Sequence, residues 1–201
     1  MKHNLLFFIC TGLSLTGWGQ QQITCQKKVD EFTHDTTVEA EILKIGKHKE
    51  GFALGVTFLK ARVYTINSNY VLVLRPEFLS IQTIQKGEKA YIKFEDDSVI
   101  ELVVDETSIS NHTSGEAFTQ GTDNTIWYNY LSFFLTPQQF MQLESKKVKR
   151  VRCSYNDYDP KDDSQASVLM EQIQCIKSKA TGKAVAEPKK KKKRVDDTYG
   201  N

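Results

Sequence analysis

The stretch from Gly87 to Glu106, GEKAYIKFEDDSVIELVVDE, constrains this chain more than any other. Two runs rich in strand-forming residues, Tyr91 to Phe94 and Val99 to Val104, flank a polar Glu-Asp-Asp-Ser cluster, which is the signature of a β-hairpin. Parity then selects the loop. A two-residue turn at Asp96-Asp97 would set Ile92 against Glu101. A three-residue loop, Asp96-Asp97-Ser98, instead pairs Phe94 with Ile100, Ile92 with Leu102 and Ala90 with Val104 on one face. On the other face it pairs Lys93 with Glu101 and Tyr91 with Val103. Such pairs are each worth about 0.2–1 kcal/mol over Ala–Ala, and a one-residue slip would turn the apolar set to water. The expected connection is a type I turn followed by a left-handed residue near Ser98.

The same reasoning extends along the chain. Val38 to Ile45 reads as a strand or a short helix, followed by a turn from Gly46 to Gly51. Phe52 to Ile66 reads as a long strand whose inward set is Phe52, Leu54, Val56, Phe58, Tyr64 and Ile66. Lys60 and Arg62 interrupt that set and imply a bulge or bend. A three-residue loop, Asn67-Ser68-Asn69, would pair Ile66 with Tyr70, Tyr64 with Leu72 and Val63 with Val73, and Pro76 would close the returning strand. Phe78 to Ile84 suggests a short strand and Glu106 to Thr125 a long loop or weak strand. Ile126 to Leu135 is an aromatic strand with Trp127, Leu131 and Phe133 inward.

Two helices follow. Thr136 can cap the first, Pro137 suits its first position and Gln139 completes a capping box. Leu135 and Phe140 fit a hydrophobic staple around that start. Val148 to Tyr155 returns as a strand. Ser164 can cap a second helix, in which Ala166, Leu169, Met170, Ile173 and Ile176 fall at helical spacing. The expected fold class is α+β: an antiparallel, meander-like sheet or partly closed barrel with two short C-terminal helices.

The ends have a different character. MKHNLLFFICTGLSLTGWGQ has Lys2, an apolar core from Leu5 to Leu15, and small residues Gly17 and Gly19 before a cut after Gly19. That is the pattern of a secretory signal peptide, and its core is too short to span a bilayer. The organisation is therefore a signal peptide at 1–19, an extended lead-in at 20–37, one β-rich domain at 38–177, and a basic disordered tail at 178–201. The chain has a net charge of +2, but the tail alone carries eight Lys/Arg and three Asp/Glu, so the body is acidic. Localisation is expected to be secreted or periplasmic. Cys25, Cys153 and Cys175 would remain after cleavage, an odd number that leaves one thiol over. Cys153 and Cys175 can pair if the second helix packs on the strand holding Cys153. The other possibility is two buried, inert thiols.

A strand, a Thr-Pro-capped short helix, a Lys-rich turn, the strand KRVRCSY and a terminal helix, all preceded by the YIKFEDDSVIEL hairpin, make up the layout of residues 29–177. That layout resembles small uncharacterised secreted proteins of Gram-negative bacteria. The resemblance implies a β-rich secreted domain and carries over no functional residues.

Motifs that would carry chemistry are few. Lys189, Lys190, Lys191, Lys192, Lys193 and Arg194 follow Pro188 in a block suited to polyanions, or to an anionic surface such as lipid headgroups. A solvated tail is the plainer reading. Asn156 to Asp163 is rich in oxygen ligands but lacks the glycine and glutamate positions of an EF-hand. His34, His48 and His112 are too scattered for zinc. His112, Ser114 and Asp105 would be the first residues to test for a hydrolase assembled from distant groups. Tyr128 and Tyr130, on the face opposite Trp127, are candidates for a platform that binds a saccharide or protein partner. The leading expectation is an exported, non-enzymatic binding or interaction module without a cofactor.

Overall fold

The computed structural model describes residues 23–49, 55–67, 69–113 and 125–181. Elements are numbered in chain order. The larger sheet holds β1 (Cys25–Val29), β2 (Thr36–Ala40), β3 (Leu43–Lys49), β4 (Val56–Ile66), β5 (Asn69–Phe78), β10 (Asn111–Thr113), β11 (Ile126–Tyr128) and β12 (Leu131–Phe134). Its order is β1-β2-β4-β5-β11-β10, with β3 also on β4 and β12 also on β5. The smaller sheet is β14 (Asn156–Tyr158), β13 (Val148–Cys153), β7 (Lys89–Phe94) and β8 (Val99–Val103), in that order. A two-stranded ribbon pairs β6 (Thr83–Ile84) with β9 (Ser108–Ile109). The helices are α1 (Pro137–Ser145) and α2 (Asp163–Ala180). The pairings are antiparallel throughout, and the sheets do not close into a barrel. The α+β class therefore stands, without the barrel and with an 18-residue second helix in place of a short one.

The central hairpin buries the expected face. Ala90, Ile92, Phe94, Ile100, Leu102 and Val104 all enter the core. The register differs by two residues: Ile92 pairs with Ile100, Tyr91 with Glu101 and Ala90 with Leu102. The three-residue loop is Glu95-Asp96-Asp97, closed by the Phe94 N–H donating to Ser98 O at 3.0 Å, and the left-handed residue is Asp97, with φ 62°. Turn chemistry outweighed the cross-strand pairs, because aspartate tolerates the left-handed region better than serine does. Asp97 also receives Lys93 and Lys149 at 2.9 Å each. A shift of two residues preserves both faces.

Strand β4 corrects the expected parity. It is unbroken, and Thr57, Leu59, Ala61, Val63 and Thr65 point inward. Phe58, Lys60, Arg62, Tyr64 and Ile66 therefore share the outer face, so the two cations mark the side facing water and not a bulge. A register irregularity lies instead in β3, between Lys44 and Gly46. Gly46 belongs to that strand and not to a turn. A Cβ there would meet Tyr158 Cβ at 3.0 Å and its carbonyl carbon at 3.2 Å. Phe52 and Leu54 lie outside the described residues.

The β4–β5 connection is two residues long, with Ile66 opposite Asn69, Tyr64 opposite Val71 and Val63 opposite Leu72. Val71, Leu72, Val73 and Leu74 are all buried, so alternation could not set this register. Asn67, at φ 48°, supplies the left-handed turn residue. Strand β5 continues through Pro76 to Phe78, where the sequence suggested a stop. Opposite Pro76 the partner strand is split into β11 and β12. The Asn129 N–H donates to Pro76 O at 3.3 Å, but proline has no N–H to return.

Asn129 is itself fully buried. Its Nδ2 donates to Ser108 O at 3.0 Å and its Oδ1 accepts from Ser110 Oγ at 2.9 Å, which ties the β6–β9 ribbon to the larger sheet. Leu131 and Phe133 point inward as expected, and Trp127 packs against the core from its edge.

Residues 25–37 of the extended lead-in form β1, a turn and the start of β2, all within the larger sheet. Between β2 and β3 the chain leaves β4 at Glu41-Ile42, breaking the hydrogen-bond ladder. Gln172 of α2 fills the gap. Its Nε2 donates to Glu41 O at 2.9 Å and Ala61 O at 3.2 Å, and its Oε1 accepts the Val63 N–H at 3.1 Å. Helix α1 has the full capping box at Thr136 and Gln139, and Phe140 stacks on Tyr70 at 3.8 Å. Helix α2 is capped by Asp162, whose Oδ1 accepts the Gln165 N–H at 3.1 Å, and not by Ser164. It runs three residues past Lys177.

Neither cysteine arrangement left open by the sequence is found whole. Cys25 and Cys175 form the disulfide, with Cα atoms 6.1 Å apart. Cys153 stays a free, buried thiol, and burial pushes its pKa up to about 12. It lies in the core on β13, whereas Cys175 of α2 is bonded to β1.

Candidate binding face

The outer face of the larger sheet is organised in cross-strand rows. Lys44 stands directly opposite Lys60, and Lys60 opposite Arg75. Next to it Glu77 stands opposite Tyr128, and the Phe58 N–H reaches the Glu77 carboxylate. Beyond lie Arg62 with Val73 and Ser132, then Glu39, Tyr64, Val71 and Phe134. Strand alternation alone gathers these side chains on one surface. Tyr130 is 46% exposed and Phe134 68%.

Glu77 is the pivot of this face. Its side chain is buried, and its Oε1 receives Lys60 Nζ at 3.0 Å and an Arg75 terminal nitrogen at 3.2 Å. Its Oε2 accepts the Phe58 N–H at 3.3 Å. The Arg75 guanidinium lies 4.8 Å from the Tyr128 ring centre, and Tyr128 meets Tyr130 edge-on at 5.4 Å. Lys44 Nζ sits 4.0 Å over the Phe58 ring. These are cation–π geometries.

A cleft of about 480 Å³ adjoins this face. Lys44, Lys60 and Arg75 line it together with Ile42, Leu43 and, from the start of α2 and the loop before it, Lys161, Asp162, Ser164, Gln165, Val168 and Glu171. Burial raises the pKa of the Glu171 carboxyl. Lys44 and Lys161 form no ion pair among the described residues.

The other candidates are dispersed. His112 is exposed on β10, its ring tilted against Trp127 at 5.4 Å, and no hydrogen bond joins it to Asp105 among the described residues. Ser114 lies outside them, as do the signal segment and Lys189 to Arg194. In the acidic segment Asp157 is bound by Arg152, Asp159 by Arg150, and Asp163 by Lys147, while Asp162 caps α2. His34 occupies the β1–β2 turn at φ 60°. His48 Nδ1 lies 2.8 Å from Asp157 O. Among the described residues no three His, Cys, Asp or Glu side chains are grouped to hold a metal, and no helix is long and apolar enough to cross a membrane.

Comparison with protein-family models, with curated proteins and with solved structures gives no match.

Tyr128 and Tyr130 were legible in the sequence from parity. Lys44, Lys60, Arg75 and Glu77 were not, although the Lys60–Arg62 interruption was the available signal. Taken as the wet parity of β4, it points to this surface.

Proposed function

We propose that the chain is an exported, non-enzymatic binding module that engages its ligand on the outer face of the larger sheet. One observation carries the reading: aromatics and cations, some exposed (Lys44, Tyr130, Phe134) and some half-buried (Phe58, Lys60, Arg75, Tyr128), are gathered there in consecutive cross-strand rows beside a cleft. Small-molecule sites are concave and of the order of 300–1,000 Å³, and the adjoining cleft of about 480 Å³ is of that size, with a largely polar and charged lining. The Cys25–Cys175 disulfide supports export, since such bonds persist in oxidising compartments.

The test is retention of the full chain on a saccharide array, beside Tyr130→Ala/Phe134→Ala. Both side chains are exposed, so the variant keeps the core. The expected result is selective retention by the parent and its loss in the variant. Equal retention by both would remove the sheet face from the reading, and no retention by the parent would remove saccharides.

A further inference from the structure

We infer that the row Lys44–Lys60–Arg75, with Lys161 across the cleft, is an oxyanion site that takes the carboxylate or phosphate group of a small ligand. The inference rests on the binding-face reading and names the ligand chemistry for its cleft.

The row is electrostatically incomplete. Like charges directly opposite one another on neighbouring strands are destabilising, and here three cations stand in sequence across β3, β4 and β5. Among the described residues Glu77 alone serves two of them, both through Oε1, and Lys44 has only the Phe58 ring. Arg75 also keeps a buried Nε–H without a partner among the described residues.

The outer face of the smaller sheet behaves differently. Lys89 pairs with Glu101, Lys93 and Lys149 with Asp97, Arg150 with Asp159, and Arg152 with Asp157. That face is equally cationic, yet every one of those charges is answered within the protein. The cleft holds cations that are not.

Two carboxylates also line the cleft. The Asp162 carboxylate is committed to capping α2, whose N-terminal turn adds positive potential of its own. Glu171 opposes an anion when ionised, and burial of its carboxyl raises its pKa and so favours the neutral form. A bound carboxylate or phosphate would satisfy Lys44 and Lys161 together, with charge-assisted bonds of the stronger kind.

The experiment is an amide NMR titration of the full chain with sodium phosphate and, separately, sodium citrate, with ionic strength held constant by sodium chloride. Saturable shifts are expected at residues 42–44, 60, 75 and 161–165, and the stronger of the two anions identifies the oxyanion class. Lys44→Ala/Lys161→Ala, at two exposed positions, should weaken binding at least tenfold, about 1.4 kcal/mol. Glu171→Gln should tighten it, and Lys93→Ala/Arg150→Ala on the smaller sheet should leave it unchanged. The absence of saturable shifts, equal shifts with chloride alone, or a double variant that titrates like the parent would overturn the site. Retention on the array through Tyr130 and Phe134 would survive that outcome, so the two readings fail separately.

Discussion

Removing the Cys25–Cys175 disulfide by Cys25→Ser/Cys175→Ser should cost about 5 kcal/mol. The bond closes a sequence separation of 150 residues, and chain-entropy bookkeeping for a loop of that size gives this figure at 25 °C. The local consequence should be just as clear. β1 is largely exposed and is held by β2 on one edge and by α2 through this bond, so without the bond it should fray first. Urea unfolding is the assay. With a slope of about 2 kcal/mol per M, the midpoint should drop by roughly 2.5 M, and amide exchange should rise earliest in β1 and β2. A midpoint shift below about 0.5 M, or a peptide map linking Cys153 to either partner, would refute the reasoning.

Three further outcomes are expected. Gln172→Leu strands Val63 N–H and two carbonyls in the gap between β2 and β3, so it should cost about 3 kcal/mol or more by urea unfolding; a neutral result would mean the gap is not sealed by α2. Gly46→Ala drives a methyl group against the Tyr158 backbone and should cost about 1–3 kcal/mol, seen as a lower thermal midpoint; an unchanged midpoint would show that β3 and β14 are not in contact there. Asp96 is held down to about 2, first by Lys146 and then by Ser98, and Asp97 and Asp157 are also lowered by their cationic partners. A carboxylate with a depressed folded pKa contributes stability above its unfolded value of 3.8 and loses it as pH falls through the folded value. Denaturant midpoints should therefore fall between about pH 4 and pH 2, and Lys146→Ala should flatten that dependence.

What could be read from the sequence follows from where one kind of signal was decisive. The Phe94–Ile100 hairpin alternates strictly, so its buried face was fixed even though the loop moved by one residue and the pairing register by two. Thr136-Pro137-Gln138-Gln139 is a local motif, and local hydrogen bonds formed it as expected. Val71 to Leu74 is apolar on both faces, so its register depended on the turn, where Asn67 and not Asn69 took the left-handed conformation. In β4 the large outward residues Phe58 and Tyr64 outweighed the smaller Thr57, Ala61 and Thr65, and the wrong face was chosen. Those outward aromatics sit beneath lysine and arginine side chains, an arrangement that only the neighbouring strands reveal. Cys25 was separated from its partner by the whole domain, and no spacing rule connects them. The cleft combines β3, β4, β5 and the start of α2, so it exists only once the chain has folded.

The binding surface exists only if the outward parity of β4, with Tyr130 and Phe134 on the same face, meets water. Paramagnetic quenching of side-chain NMR signals by a soluble gadolinium chelate tests this directly. Ile66, Tyr130 and Phe134 should be strongly attenuated, while Leu59, Ala61 and Val63 are protected. Protection of the first set with attenuation of the second would contradict the binding face and everything inferred from it.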